Sequence, residues 1–219
     1  MTPPAEPVVP RPAVSVIPLR DGRDGLEVFV QHRQTTMDFA AGAVVFPGGR
    51  CDPVDRAKGA ELALPGALLD DHVEAWSAVR IIPGEPAAQA RTLLATGLRE
   101  LEEETGLRAR PEALLPWDRW VTPERSPRRF DVAFFVLAVP AGAGAQPGHT
   151  TSEATHSQWE PVSSVLAGGA GGALSLLTPT RVILEELHAL RDAATVVSRR
   201  PVIAGVRGDR PEGRPRPRR

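Results

Sequence analysis

The chain has 219 residues and carries 26 basic against 27 acidic side chains, a formal net charge of -1. Apolar residues make up 42% and charged residues 24%, the balance of a globular protein with enough apolar material for one core. No run of about 18 apolar residues occurs, which excludes a transmembrane helix; the near-neutral charge does not point to nucleic acid, and a single cysteine, Cys51, excludes an intrachain disulfide and a cysteine-based zinc cluster.

Residues 1–12 are broken by Pro3, Pro4, Pro7, Pro10 and Pro12 and read as disordered or extended. They lack the basic start and apolar middle of a secretory signal, so a cytoplasmic home is the simplest expectation. Ala13–Leu19 is a strand candidate, and Asp21-Gly22 with Asp24-Gly25 marks a turn into a partner strand at Leu26–His32. Ala43–Phe46 is a short apolar strand stopped by Pro47-Gly48-Gly49. Residues 51–86 are interrupted by Pro53, Pro65, Pro83 and Pro86, with a helical stretch at Leu68–Val79. They are too few to bury a core of their own and read as an insertion. Ala87–Thr105 is the strongest helix, with Leu94, Leu98, Leu101 and Thr105 at helical spacing and Gly106 where a left-handed cap belongs. Trp117–Val121 and Arg129–Val139 read as strands, Ala141–Gly148 as a loop, and Thr155–Glu160 as a short strand. Pro179–Leu190 reads as a helix capped by Thr178, and residues 201–219 as a disordered Arg/Pro-rich tail. Residues 13–200 then form one domain of the α/β (α+β) class.

The chemistry concentrates in Arg99-Glu100-Leu101-Glu102-Glu103-Glu104-Thr105-Gly106-Leu107. On a helix, Glu100, Glu103 and Glu104 share one face. Each like-charge pair at this spacing costs roughly 0.2–0.5 kcal/mol. The cost is compounded at the C-terminal end, where the helix dipole is already negative. A hard divalent cation removes that cost, because Mg²⁺ prefers carboxylate oxygens and retains sites for phosphate. The structural alternative is a solvated acidic face.

The run Arg99-Glu100-Leu101-x-Glu103-Glu104-x-Gly106-Leu107 resembles the second half of the Nudix box, G-x5-E-x7-R-E-U-x-E-E-x-G-U, and Phe46-Pro47-Gly48-Gly49 resembles its opening. The resemblance spans about residues 13–195 and implies a Nudix-type α/β/α sandwich with a mixed central sheet. In the pattern the opening glycine lies 14 positions before the arginine; from Gly49 to Arg99 it is 50, leaving 36 extra residues. Counted back from Arg99, the isolated box glutamate falls on Arg91, with Glu85 out of register. An interrupted box is similar to the Nudix branch that contains the peroxisomal coenzyme A diphosphatase. Trp120-Val121-Thr122-Pro123, Pro127-Arg128-Arg129-Phe130-Asp131 and Leu176-Leu177-Thr178-Pro179-Thr180 are also similar to that branch.

The resemblance implies Mg²⁺- or Mn²⁺-dependent hydrolysis of a diphosphate linkage in a nucleotide-derived small molecule, with coenzyme A or an acyl-CoA first. ADP-ribose, NADH and capped RNA are alternatives within the reaction, and a non-catalytic nucleotide sensor is the alternative outside it. Glu100, Glu103 and Glu104 are the expected metal ligands. Glu100, Glu103 and Arg99 are the expected catalytic set, Glu100 serving as third ligand or base. Gly48, Gly49, Arg128 and Arg129 are the expected substrate contacts, the arginines as planar forks for phosphate. Glu153 is a further carboxylate candidate outside the box. Against these stand an ordinary helix salt bridge from Arg99 to Glu103 and solvated loop arginines. The five histidines show no metal-ligand spacing. No membrane partner is expected, and a homodimer is compatible with the sequence.

Overall fold

The computed structural model describes residues 8–34, 40–140, 147–148, 154–201, 203–204 and 206–207. β1 (Arg11–Gly22) is the hub of its sheet. Val14 and Val16 enter one core, Ile17 and Leu19 the other, as the pleat of a strand dictates. One edge of β1 runs parallel to β6 (Phe130–Ala138), from Arg11↔Phe130 to Leu19↔Ala138. The other edge is divided between β2 (Gly25–Arg33) and β4 (Gly48–Arg50), both antiparallel. Gly22↔Gly25 closes the β1–β2 hairpin, where Gly25 has φ 111°.

β2 extends the sheet to β3 (Ala43–Val45) and β7 (Ala154–Pro161), and β3 carries the short β8 (Ser175–Leu176). β6 carries β5 (Leu115–Val121), which in turn pairs with β9 (Val206–Arg207). A register shift between Pro116 and Asp118 lets Trp117 and Trp120 enter the same core although they lie three residues apart.

Helices cover both faces of this mixed sheet. α2 (Gly66–Ala75) and α3 (Pro86–Thr105) cover the Val14–Val16 side, with Trp76, Leu93, Leu94 and Leu101 in the core. α1 (Pro53–Glu61) packs on α3 at Gly59, where a Cβ would come within 2.8 Å of the Arg91 carbonyl. α4 (Val162–Ala170), α5 (Thr178–Leu190) and α6 (Ala193–Val197) cover the Ile17–Leu19 side. The result is the expected α/β/α sandwich. Among the described residues no helix is long and apolar enough to cross a membrane.

Several boundaries differ from the sequence reading. β1 starts at Arg11, inside the segment read as disordered or extended, because β6 and the Arg129 carbonyl supply backbone partners. Residues 51–86 hold two complete helices, and α2 ends at Ala75 rather than Val79. Thr178 is itself the first helical residue, and the N-cap position falls on Leu177. Past Pro201 the chain stays in the fold: Ile203 is buried in the α3-side core and Val206–Arg207 joins β5. Residues 1–7, 208–219 and most of Ala141–Gly148 lie outside the described residues.

Candidate active site

α3 delivers its carboxylates to the place where β4 joins β1. Ala90, Leu93, Leu94 and Leu101 are fully buried along its inner stripe. Gly97 lets Val14 and Val16 approach closely; a Cβ there would lie 3.3 and 3.4 Å from their methyl groups. Gly106 ends the helix in the left-handed region, φ 73°, and its N–H donates to the Glu102 carbonyl.

Glu100 and Glu104, one turn apart, both face β4. Glu104 is buried, and its Oε2 accepts the Gly48 N–H at 2.9 Å. Glu100 is pressed against Gly49, where any Cβ would run into its carboxylate. Gly48 has φ 155°, and a Cβ there would strike the Val14 carbonyl. Gly48 is therefore demanded by space and by conformation, whereas a side chain at Gly49 would displace the Glu100 carboxylate. Glu103 lies further out, its side chain 55% exposed.

Arg99 ties this face together. Its Nε donates to Asp55 Oδ1 at 2.7 Å and its NH2 to Asp55 Oδ2 at 2.8 Å, a bidentate pair. NH2 also donates to the Arg50 carbonyl at 3.0 Å. NH1 lies 2.8 Å from Glu103 Oε2 and 2.9 Å from Glu100 Oε1. The salt bridge to Glu103 is thus present, but as one arm of a larger network. Asp55 is fully buried and accepts two further bonds, from the Asp52 N–H at 2.8 Å and Thr96 Oγ1 at 3.1 Å.

The electrostatics follow. Burial raises the Glu100 carboxyl above the usual range, and Arg99 only partly offsets it. Burial also pushes Asp55 upward, but its hydrogen bonds from Arg99, Asp52 and Thr96 outweigh that and hold it below the ordinary aspartate value. The Asp55 hydrogen bonds raise Arg99 further above the ordinary arginine range. Cys51, beside this network, is pushed up to about 11 by burial, which disfavours its thiolate.

No protein-family model matches this chain, and no curated protein does either. Solved structures do. A NUDIX hydrolase from Alicyclobacillus acidocaldarius is 25% identical with a TM-score of 0.67, over 87% of this chain and 96% of that one. The NUDIX domain of Shewanella oneidensis NrtR, solved with ADP ribose, is 14% identical with a TM-score of 0.50, over 85% of this chain and 91% of that one. The chain has the Nudix hydrolase fold. The Alicyclobacillus likeness supports a hydrolase of the Nudix type.

In this Nudix fold the structure brings together Gly48, Gly49, Arg99, Glu100, Glu103 and Glu104. Asp55 is the residue the sequence reading missed. Counting back from Arg99 led to Arg91, whose NH1 instead donates to the Leu62 carbonyl and clamps the end of α1. Counting six positions forward from Gly49 lands on Asp55, and that count was the available signal.

Arg128 and Arg129 sit in the turn before β6, at the start of β1, three and more register positions from the Ala13↔Arg50 pair. Arg128 is exposed. Arg129 is nine-tenths buried, with Nε on the Thr122 carbonyl and NH1 on the Val8 carbonyl, so its fork is spent on backbone. Glu153 and His149 lie outside the described residues. His32 and His156, far apart in sequence, stack with centroids 3.9 Å apart, and Glu160 Oε1 holds His32 Nε2 at 2.7 Å.

Among the described residues no three His, Cys, Asp or Glu side chains converge as a ready metal cage. Glu104 turns to Gly48, while Glu100 and Glu103 turn to Arg99. The donor chemistry nonetheless fits a hard divalent cation. Three carboxylates lie within two helical turns, one of them desolvated, beside glycine backbone with no side chain between.

Proposed function

We propose that the chain hydrolyses a diphosphate linkage in a nucleotide derivative with the help of Mg²⁺ or Mn²⁺, and that coenzyme A or an acyl-CoA is its substrate. One observation carries the reading: Glu100 and Glu104 of one helix end gather against bare glycine backbone while Arg99, braced by Asp55, ties Glu100 to Glu103. A structural surface has no need of buried Glu104 or desolvated Glu100 at a helix end that is already negative.

Glu100, Glu103 and Glu104 would hold the ion. When bound, it supplies charge neutralisation at the bridging oxygens and lowers the pKa of water. Gly48 and Gly49 let a diphosphate approach the backbone without a side chain in the way. Arg99 fixes the direction of Glu100 and Glu103, and either glutamate can take the proton of the attacking water. Of the Arg128–Arg129 pair, Arg128 has its side chain at the surface, so phosphate contact falls to it rather than to Arg129.

Asp55 is read as the acidic residue of an interrupted box, in register from Gly49, with the extra residues inserted after it. The interruption, together with Trp120–Pro123, Pro127–Asp131 and Leu176–Thr180, supports the CoA branch over other diphosphates. The test is a panel of CoA, acetyl-CoA, ADP-ribose, NADH and dinucleoside polyphosphates with Mg²⁺ or Mn²⁺. The expected products are 3′,5′-ADP and (acyl-)4′-phosphopantetheine. Cleavage of ADP-ribose or NADH alone overturns the substrate; no cleavage of anything overturns the reaction.

A further inference from the structure

Resting on that reading, we infer that Arg99 is a tethered counter-ion whose NH1 competes with the divalent cation for Glu100 and Glu103, and that Asp55 tunes the competition by anchoring the rest of the guanidinium. A single nitrogen lies 2.8 Å from Glu103 and 2.9 Å from Glu100, so one positive charge relieves the repulsion between two carboxylates. A cation that coordinates those oxygens seeks the same lone pairs. The two occupants therefore exclude each other at NH1.

Arg99 does not have to leave when NH1 lets go. Nε and NH2 stay on Asp55, and NH2 also on the Arg50 carbonyl. Asp55 is itself fully buried and held by Thr96 and the Asp52 N–H. The guanidinium charge is thus shared between an anchor on α1 and the carboxylates on α3. Weakening the anchor sends more of that charge to Glu100 and Glu103. Removing the arginine leaves both glutamates free for the ion.

The two changes consequently move ion affinity in opposite directions, which a purely orienting arginine does not do. Asp55 is a positioning residue here, acting through Arg99. The probe is Mn²⁺ alone, titrated into the full chain and followed by electron paramagnetic resonance. Asp55→Asn is expected to weaken Mn²⁺ binding several-fold. Arg99→Gln is expected to tighten it several-fold. Because Arg99→Gln strands the buried Asp55 carboxylate, the double variant Asp55→Asn/Arg99→Gln is measured too; it removes that stranded charge and is expected to bind more tightly than the unaltered chain. Thermal unfolding without metal establishes that each variant is folded. Weaker binding by the double variant, or no change in Asp55→Asn, overturns the competition while leaving the hydrolase reading intact. An unaltered chain that takes up no Mn²⁺ overturns both.

Discussion

Truncation of Asp55 to alanine tests whether α1 is structurally part of the site. The carboxylate is fully buried and accepts from Arg99 Nε, Arg99 NH2, Thr96 Oγ1 and the Asp52 N–H. Removing one partner of a buried ion pair costs about 3–5 kcal/mol, because the other charge is left behind. Arg99 retains Glu100 and Glu103, which places Asp55→Ala at the lower end, about 3 kcal/mol. In a chain of this size that is a fall in Tm of about 6–12 °C. The measurement is urea unfolding at neutral pH, followed by fluorescence of the buried Trp76, Trp117 and Trp120. The pH dependence has a definite sign. The folded Asp55 carboxyl lies below its ordinary value, so its stabilisation is fully present above that value and is lost as pH falls through the folded one. The gap between the two proteins therefore closes in acid. A loss below about 1 kcal/mol, within the range of ordinary substitutions, refutes the reasoning. So does a gap that stays constant to about pH 2, well below the reference aspartate value.

Glu103→Gln and Glu104→Gln are each expected to lower turnover by well over about tenfold, the scale of a lost charge-stabilising group, with unchanged circular dichroism; full activity in both variants removes the ion assignment. His72 is buried on α2, and desolvation pushes it down to about 4, so it is neutral in the fold. The unfolded chain binds its proton first, so stability falls as pH drops from the ordinary histidine value toward about 4, by up to about 3 kcal/mol; a His72→Gln chain is expected to show a flatter unfolding-versus-pH curve. Gly59→Ala places a methyl 2.8 Å from the Arg91 carbonyl and is expected to cost about 1–3 kcal/mol in chemical denaturation, since α1 and α3 cannot separate without moving Asp55 from Arg99.

The fold was legible wherever periodicity and punctuation agreed. β1 and β2 combine β-branched residues with two Asp-Gly pairs in the turn between them, and α3 combines a leucine stripe with a terminal glycine; both were found in place. The ends were less legible because their structure comes from distant partners. Nothing local in Pro10-Arg11-Pro12 favours a strand, yet β6 lies alongside and the Pro12 carbonyl accepts the Cys51 N–H. Ile203 and β9 are likewise ordered by burial and by the edge of β5, not by their own composition. The bulge in β5 is also invisible in sequence, since it depends on pairing with β6.

The site divides in the same way. Glu100, Glu103, Glu104 and Arg99 share one helix, so helical geometry alone predicts their convergence. Asp55 reaches Arg99 across 44 residues, and α2 with its connecting loops intervenes. A spacing rule applied from one end of an interrupted motif measures the insertion instead of the contact. What fixes the true register is close packing: Gly59 seats α1 on α3, Arg91 fastens the far end of α1 through the Leu62 carbonyl, and Asp55 is left with Arg99 as its charged partner. Arg129 illustrates the converse. Its sequence context suggested a phosphate fork, but its location at the start of β1 makes it the clasp between the Thr122 and Val8 carbonyls. An arginine near a catalytic face is therefore assigned by what its five N–H groups already satisfy, and by that criterion Arg99 belongs to the carboxylates and Arg129 to the fold.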